Sequence, residues 1–371
     1  MPSPSPSAIV LSAGGARAAY QVGVLRRIAE RAPDFQPTIF SGVSAGSINA
    51  CFLAQGEPFA ETTRRMEDLW LGLKSEDVFR ANFPSLSRAI LRWATDLFFA
   101  RVTNRILLRS LLDATPLAST LGARIPFAKI HRAVREGRVE GLSVTATDYR
   151  TGASVIFFDS TREIPAWLRR HRQGVPGAVH LKHVLASCSL PVLFEPVKIG
   201  DRWYGDGSIR FSFPLSPAIN MGAKRILAIG TQPHGTEAPA AEAATMGYVA
   251  GAVLHCLFQD SLETDIELLE TINAAAPDKH VATAVLRPSI DPARLASEHL
   301  GELPFHFRQL LRTTAKRGDL GGLASYLLFS KPYLSALIEL GRADVDSGWH
   351  ELAPLLQPAS AVRSESLLEK A

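Results

Sequence analysis

The chain has only three cysteines in 371 residues. Cys51, Cys188 and Cys256 lack metal-type spacing and cannot form an even disulfide framework. Each lies in an apolar stretch, where a thiol is expected to behave as a small buried hydrophobe. So sparse a set fits a reducing compartment. No cluster of His, Cys, Asp and Glu has ligand spacing, so neither a metal nor another cofactor is expected. Long apolar runs are also missing, and none approaches the roughly 20 residues that span a bilayer. The N-terminus has no basic n-region, and its first apolar run soon meets glycines, so no signal peptide is expected. Charge is nearly balanced, with 40 Lys and Arg against 36 Asp and Glu. That excludes a dedicated nucleic-acid binder and leaves room for attraction to an anionic surface. There is no internal repeat. Together these absences predict a cytoplasmic protein whose contact with membranes is at most peripheral.

What is present is an ordinary globular composition, with 46% hydrophobic residues. The length suits one large α/β domain plus an accessory helical region. A short apolar strand over 8–11 leads into Gly14-Gly15 and then a helix over about 16–32. Tyr20, Val24 and Ile28 recur on one face of that helix. A second strand, at Pro37-Thr38-Ile39-Phe40, is followed by a helix ending near Ala54. Residues 60–130 break this rhythm and read as a helical insertion. Strands return over 142–147 and 155–158, with a hairpin over 195–204 turning at Gly200-Asp201. A buried strand follows over 225–230. The chain then becomes mostly helical, with a late strand over 281–286. The expected division is a disordered lead over 1–7, an α/β domain over 8–235 with a helical cap at about 60–130, a mostly helical region over 236–357, and a flexible tail over 358–371. The fold class is α/β: three α/β/α layers around a mainly parallel sheet, with a helical insertion and a helical C-terminal region.

Gly42-Val43-Ser44-Ala45-Gly46 stands between a strand and a helix, the context in which G-x-S-x-G forms a nucleophile elbow. Gly42 and Gly46 would let helix and strand approach closely. Ser44 would then sit at a helix N-terminus, where backbone N–H groups favour developing negative charge. A tight turn whose small residues only permit packing is the competing reading. A serine hydroxyl also needs a base and donors for an oxyanion. Gly14 and Gly15 leave a buried strand and open a helix, so their N–H groups could serve as donors, with a phosphate-binding or simply structural βα turn as the alternative. For the base, none of the ten histidines sits in a context that singles it out. His180 and His183 could share a helix face, as could His299 and His306. Asp206 ends a strand-like run before Gly207 and could point into a pocket, although Asp-Gly is also a common turn pair.

These residues carry a family resemblance. Residues 11–25, LSAGGARAAYQVGVL, resemble the glycine-rich opening of patatin-like phospholipases. Gly42 to Ala50 resembles their nucleophile elbow, and Ala186-Ser187-Cys188-Ser189-Leu190-Pro191 resembles their Ala-Ser-x-x-x-Pro segment. Tyr204-Gly205-Asp206-Gly207-Ser208 resembles their Asp-Gly block. The four blocks keep the family's order over roughly 8–231. The resemblance implies a Ser44–Asp206 dyad without histidine, an oxyanion hole at Gly14, Gly15 and Ala16, and support from Arg17, Gly42, Gly46 and Gly207. Arg17 would stabilise the glycine loop or meet a lipid phosphate; an exposed loop arginine is the alternative. Three positions depart from the pattern. Ala13 replaces the first glycine, at a cost of about 1 kcal/mol if φ there is positive. Ala18 replaces the glycine after the arginine, and Ser208 replaces a Gly or Ala.

The implied activity is that of a serine esterase cleaving fatty-acyl esters of a phospholipid or another acyl lipid. Acyl transfer or thioester cleavage would use the same dyad. A lipid-binding protein with a degenerate site and a Ser-His-Asp hydrolase are further alternatives. The stretch 88–112 interleaves Arg101, Arg105 and Arg109 with apolar residues. It reads either as a cap helix packed on the core or as a peripheral contact with an anionic membrane.

Overall fold

The computed structural model describes residues 6–80, 110, 112–210, 213–234, 262–303 and 320–356, with a few isolated positions between them. The stretch 88–112, apart from Ser110 and Leu112, lies outside the described residues, as do His306 and the tail over 358–371. The lead expected over 1–7 is shorter than read, because Ser7 is already the first residue of β1 (Ser7–Leu11). The Pro6 carbonyl also accepts from the Lys224 N–H at 2.9 Å.

β1 pairs in parallel with β2 (Ile39–Val43). Between them the chain makes one 3-10 turn, Gly15–Ala18, and then α1 (Ala19–Arg31). The helix expected from residue 16 therefore opens with a tighter turn, which leaves the loop's first N–H groups without intrahelical partners. After β2 comes α2 (Ala45–Leu53). The insertion contributes α3 (Phe59–Gly72), α4 (Ser75–Val78), α5 (Thr115–Arg124) and α6 (Phe127–Arg135). β3 (Gly141–Asp148) and β4 (Ala153–Ser160) form an antiparallel pair, followed by β5 (Trp167–Arg169) and β6 (Arg172–Pro176). Next come α7 (Leu181–Ser187), the hairpin β7 (Val197–Ile199) and β8 (Arg202–Asp206), α8 (Ser216–Asn220) and β9 (Arg225–Ile229). The C-terminal region holds α9 (Leu262–Ala275), β10 (Ala282–Leu286), α10 (Pro292–Glu298), α11 (Leu320–Leu327), α12 (Lys331–Ser347) and α13 (Trp349–Leu356).

The sheet runs β10-β9-β1-β2-β3-β4-β6-β5. Its first five strands are parallel, so their C-terminal ends lie together. β1, β2 and β9 are short apolar runs buried on both faces, as a covered parallel sheet requires. One face packs Ile9, Leu11 and Leu227 under α1, α2 and α12, and the other packs Val10, Ile226 and Ala228 against α8 and α9. Two of the cysteines are buried as expected, but Cys256 is exposed.

The late strand lies where the sequence indicated, and it joins the main sheet beside β9. The C-terminal region is also held to the first half at the crossing of α1 and α12. A Cβ on Gly23 would strike the Ile338 carbonyl oxygen, and one on Gly341 would strike the Tyr20 carbonyl oxygen. Backbone cannot yield there as a side chain can. Gly23→Ala is therefore expected to lose about 2 kcal/mol through overpacking, despite alanine's better helix propensity. Gly72→Ala, which meets nothing within 4 Å, should be neutral or stabilising. Thermal denaturation of the two variants checks this, and equal melting temperatures would refute the close crossing.

Candidate active site

β3 uses one edge for two partners. β2 pairs with it up to Val43↔Thr145. From Ala146 onward the same edge is taken by β8, running the other way, with Asp206 opposite Ala146. β4 occupies the opposite edge throughout. The residue after β2 and the last residue of β8 are thus brought together. They are Ser44 and Asp206, and Ser44 Oγ donates to Asp206 Oδ2 at 2.7 Å.

Ser44 lies at φ 52° and ψ −130°, outside the regions an L-residue prefers. Such backbone costs on the order of 1–3 kcal/mol and persists only where its surroundings enforce it. Here both sides of the residue are pinned. Its N–H donates to Ser187 Oγ at 2.8 Å, and its carbonyl accepts from Ser47 Oγ at 2.6 Å. Ser187 Oγ in turn donates to the Thr145 carbonyl at 2.6 Å. Sequence reasoning quoted Ser187 within the Ala-Ser-x-x-x-Pro segment but gave it no role. A Cβ on Gly42 would strike the Gly46 carbonyl, and one on Gly46 would strike the Leu11 carbonyl.

Asp206 is fully buried, and burial pushes its carboxyl up to about 6. Hydrogen bonds from Ser208 and Ser44 oppose that rise. Ser208 supplies two donors to Oδ1, its N–H at 2.8 Å and its hydroxyl at 2.7 Å. The departure at Ser208 therefore adds a hydrogen bond to the carboxylate. Thr147 Oγ1 holds the Asp206 carbonyl at 2.8 Å. Gly207 is required at the exit from β8, since a Cβ there would strike the Thr145 carbonyl.

The loop over 12–17 lies beside this pair. Among non-glycine described residues only Ser44 and Val192 have positive φ, so alanine at 13 carries none of the expected backbone cost. Ala18, at φ −66°, needs no glycine either. The left-handed position is Gly15, at φ 53°, where a Cβ would also strike the Tyr326 carbonyl. Thr231 Oγ1 donates to the Ala13 carbonyl. Gln21 Nε2 donates to the Ser12 carbonyl at 2.8 Å, and Asn49 Nδ2 donates to Gln21 Oε1 at 3.0 Å. Trp70 Nε1 donates to Asn49 Oδ1 at 2.8 Å. Gly14, Gly15 and Ala16 donate to no acceptor among the described residues. Arg17 is 2% exposed, so the exposed-arginine alternative fails. Its Nε donates to Ser325 Oγ at 2.9 Å, and its guanidinium lies 4.1 Å from the centroid of the Tyr326 ring. Arg17 ties the glycine loop to α11.

No histidine hydrogen-bonds to Ser44 or Asp206 among the described residues. His183 stacks on Phe157, and burial pushes its imidazole down to about 4. No group of three or more His, Cys, Asp and Glu among the described residues could hold a metal. No described helix is long and apolar enough to cross a membrane.

From Ser44 an apolar pocket of about 670 Å³, its mouth included, runs between α2, α3, α5 and α11. Ile48, Trp70, Leu121, Phe194 and Phe329 are among its walls, as are Gly15 and Ser44.

The raised Asp206 carboxyl has a stability consequence. A folded-state value near 6, against the ordinary 3.8, means that ionisation opposes folding. The penalty is full above pH 6 and is relieved as pH falls from 6 toward 4. It amounts to roughly 3 kcal/mol. Asp206→Asn is therefore expected to be more stable than wild type at pH 8, and the gap should close near pH 4. Denaturant unfolding at the two pH values checks this. An Asn variant less stable at pH 8 would show the carboxylate to be fully compensated.

Solved structures similar to this chain include VipD from Legionella pneumophila, at 14% identity and a TM-score of 0.36, with 91% of this chain and 67% of that chain covered. Human GIVD cytosolic phospholipase A2 gives 12% and 0.38, with 92% and 60% covered. ExoU of the ExoU–SpcU complex from Pseudomonas aeruginosa gives 16% and 0.30, with 94% and 59% covered. The chain thus spans about three fifths to two thirds of these structures. No curated protein matches it in sequence. A family model described as patatin-like phospholipase matches residues 9–219, which take in Ser44, Asp206 and the glycine loop, and the chain belongs to that family.

Proposed function

We propose that this protein is a serine lipid acyl hydrolase that cleaves fatty-acyl esters, of the phospholipase A or lysophospholipase type, through an acyl-Ser44 intermediate. The observation that carries this reading is the 2.7 Å hydrogen bond from Ser44 Oγ to buried Asp206, with Ser44 lining an apolar pocket. An acyl chain lying in that pocket would bring its ester carbonyl to Ser44. Asp206 takes the hydroxyl proton as Oγ attacks the carbonyl carbon. The N–H groups of Gly14, Gly15 and Ala16 stabilise the resulting oxyanion. The proton then passes to the leaving alcohol as the ester C–O bond breaks. In the second half Asp206 takes a proton from water, hydroxide adds to the acyl-serine, and Ser44 leaves with that proton. The Ser208 donors hold Asp206 Oδ1, so Oδ2 stays aimed at Ser44 through both halves.

A base must be ionised to act, so the raised Asp206 carboxyl sets the acid limb of the reaction. Hydrolysis of a soluble short-chain ester is expected to fall below a pH of about 6. Ser44→Ala should abolish both hydrolysis and labelling by a fluorophosphonate probe. Asp206→Asn should lower kcat by about 10²–10⁴-fold, the range for losing a positioned base. A histidine variant that destroys activity while Asp206→Asn retains it would overturn the dyad.

The pocket also makes a prediction about chain length. Leu117→Trp narrows a wall that short acyl groups do not need. It should lower kcat/KM for long-chain esters by at least about tenfold, while butyryl ester hydrolysis stays within about threefold. Equal losses for both chain lengths would remove the pocket from the acyl-binding role.

A further inference from the structure

The strand register places three hairpin tips at the end of the sheet that presents Ser44. β3 runs on past Ala146, the level of Ser44, to Asp148, and then turns through residues 149–152. Arg172 at the start of β6 pairs with Ser154, so the β5–β6 turn at Arg170-His171 lies beside that first tip. Tyr204 lies opposite Asp148, so the β7–β8 turn at Gly200-Asp201 projects further still. At 3.4 Å per residue, Tyr149 is roughly 10 Å beyond the level of Ser44.

The tips are apolar and basic together. Leu168 is 79% exposed, and Tyr149 and Trp203 are each 42% exposed. Residues 149–152, 167–172 and 198–203 carry six Lys and Arg against one Asp. Over the whole chain the two signs nearly balance, at 40 to 36. Arg202 is taken up by buried Asp148 at 2.7 Å, while Arg150 is only 3.9 Å from exposed Asp201. Arg169, Arg170 and Lys198 are exposed on the tips. Lys198 lies 5.9 Å from the centroid of Trp203, a cation and an aromatic ring side by side.

Exposed aliphatic and aromatic groups ringed by cations match an anionic lipid surface, with apolar side chains entering the headgroup boundary and cations meeting phosphate. An acidic protein would reward the charge but not exposed Leu168. We propose that these three tips form the surface on which the protein docks to anionic bilayers. The inference rests on the lipid-hydrolase reading for its purpose, since a bilayer there would lie within about one lipid length, roughly 20 Å, of Ser44.

The test uses full-length protein carrying Ser44→Ala, floated with vesicles of phosphatidylcholine alone or with about one third phosphatidylglycerol added. Flotation is expected with the anionic vesicles and should weaken as salt rises. Adding Arg169→Gln and Arg170→Gln should lower the partition coefficient roughly thirtyfold, five- to sixfold per cation removed. Adding Leu168→Asp should lower it further, while Arg64→Gln on α3 should leave it unchanged. Brominated lipid should quench tryptophan fluorescence, and Trp203→Phe should remove most of that quenching. Equal flotation with and without Arg169, Arg170 and Leu168 would overturn the proposal, as would equal flotation on the two vesicle types. A dimer that dissociates in the tip variants without loss of flotation would assign the surface to a second copy. Soluble ester hydrolysis by the tip variants in the Ser44 background should match wild type. Loss of that hydrolysis in wild type, with flotation intact, would reject the hydrolase reading and leave the docking surface standing.

Discussion

Thr145 and Ala146 are neighbours on one edge of β3, and that edge serves two strands of opposite direction. β2 ends where β8 ends. A parallel strand cannot continue past its own elbow, so the ladder beyond Thr145 is open to an incoming antiparallel strand. β8 fills it and delivers a carboxylate to the place where the elbow delivers a hydroxyl. Nothing in the Ser44–Asp206 contact depends on a flexible loop. Both residues sit at the ends of hydrogen-bonded strands, and the serines around them fix the rest. Ser187 joins the elbow to β3, and Ser208 joins the carboxylate to its own turn. The strain at Ser44 can persist because these bonds leave its backbone no other partner as good.

Much of this was legible in the sequence, for identifiable reasons. Short apolar runs located β1, β2, β3, β4 and β9, and a glycine soon after β1, β2 and β9 marked their ends. G-x-S-x-G located Ser44, because no other residue order lets helix and strand meet so closely. The Gly200-Asp201 turn was readable from composition, and Gly200 takes the left-handed backbone such turns require, at φ 65°. Other features were not legible. The sharing of one β3 edge is a long-range property, and no local pattern announces it. Ser208 looked like a departure from a glycine or alanine, and its value appears only once its hydroxyl is found on Asp206. Cys256 lies in an apolar run and is nonetheless exposed, because hydrophobic neighbours in sequence do not determine which face is covered. Ala13 raised a concern about backbone that the geometry removes, since the left-handed residue of that loop is Gly15 and not its neighbour.

Arg17 shows how burial changes the role a sequence position suggests. In an exposed loop its guanidinium would be free to meet a phosphate. Here it is enclosed by Ser325, the Tyr326 ring and, at 3.9 Å, Asp291. All three belong to the C-terminal region. The cation is costly to bury and is retained by a ring face, a hydroxyl and a carboxylate. Its effect is to fix the glycine loop against α11, close to where Tyr326 excludes any side chain at position 15.

That arrangement bears on where the functional unit ends. The family match stops at residue 219, yet the pocket does not. Tyr326, Leu327 and Phe329 supply one of its walls, β10 extends the sheet beside β9, and α12 crosses α1 at a glycine contact. A chain cut after β8 would keep Ser44 and Asp206 but would lose the wall opposite α2 and the anchor of the glycine loop. In the proposed reaction, donors that meet an oxyanion within a few tenths of an ångström would depend on such anchoring. The C-terminal helices are therefore part of the site's geometry, and the segment carrying the motifs is insufficient to hold it.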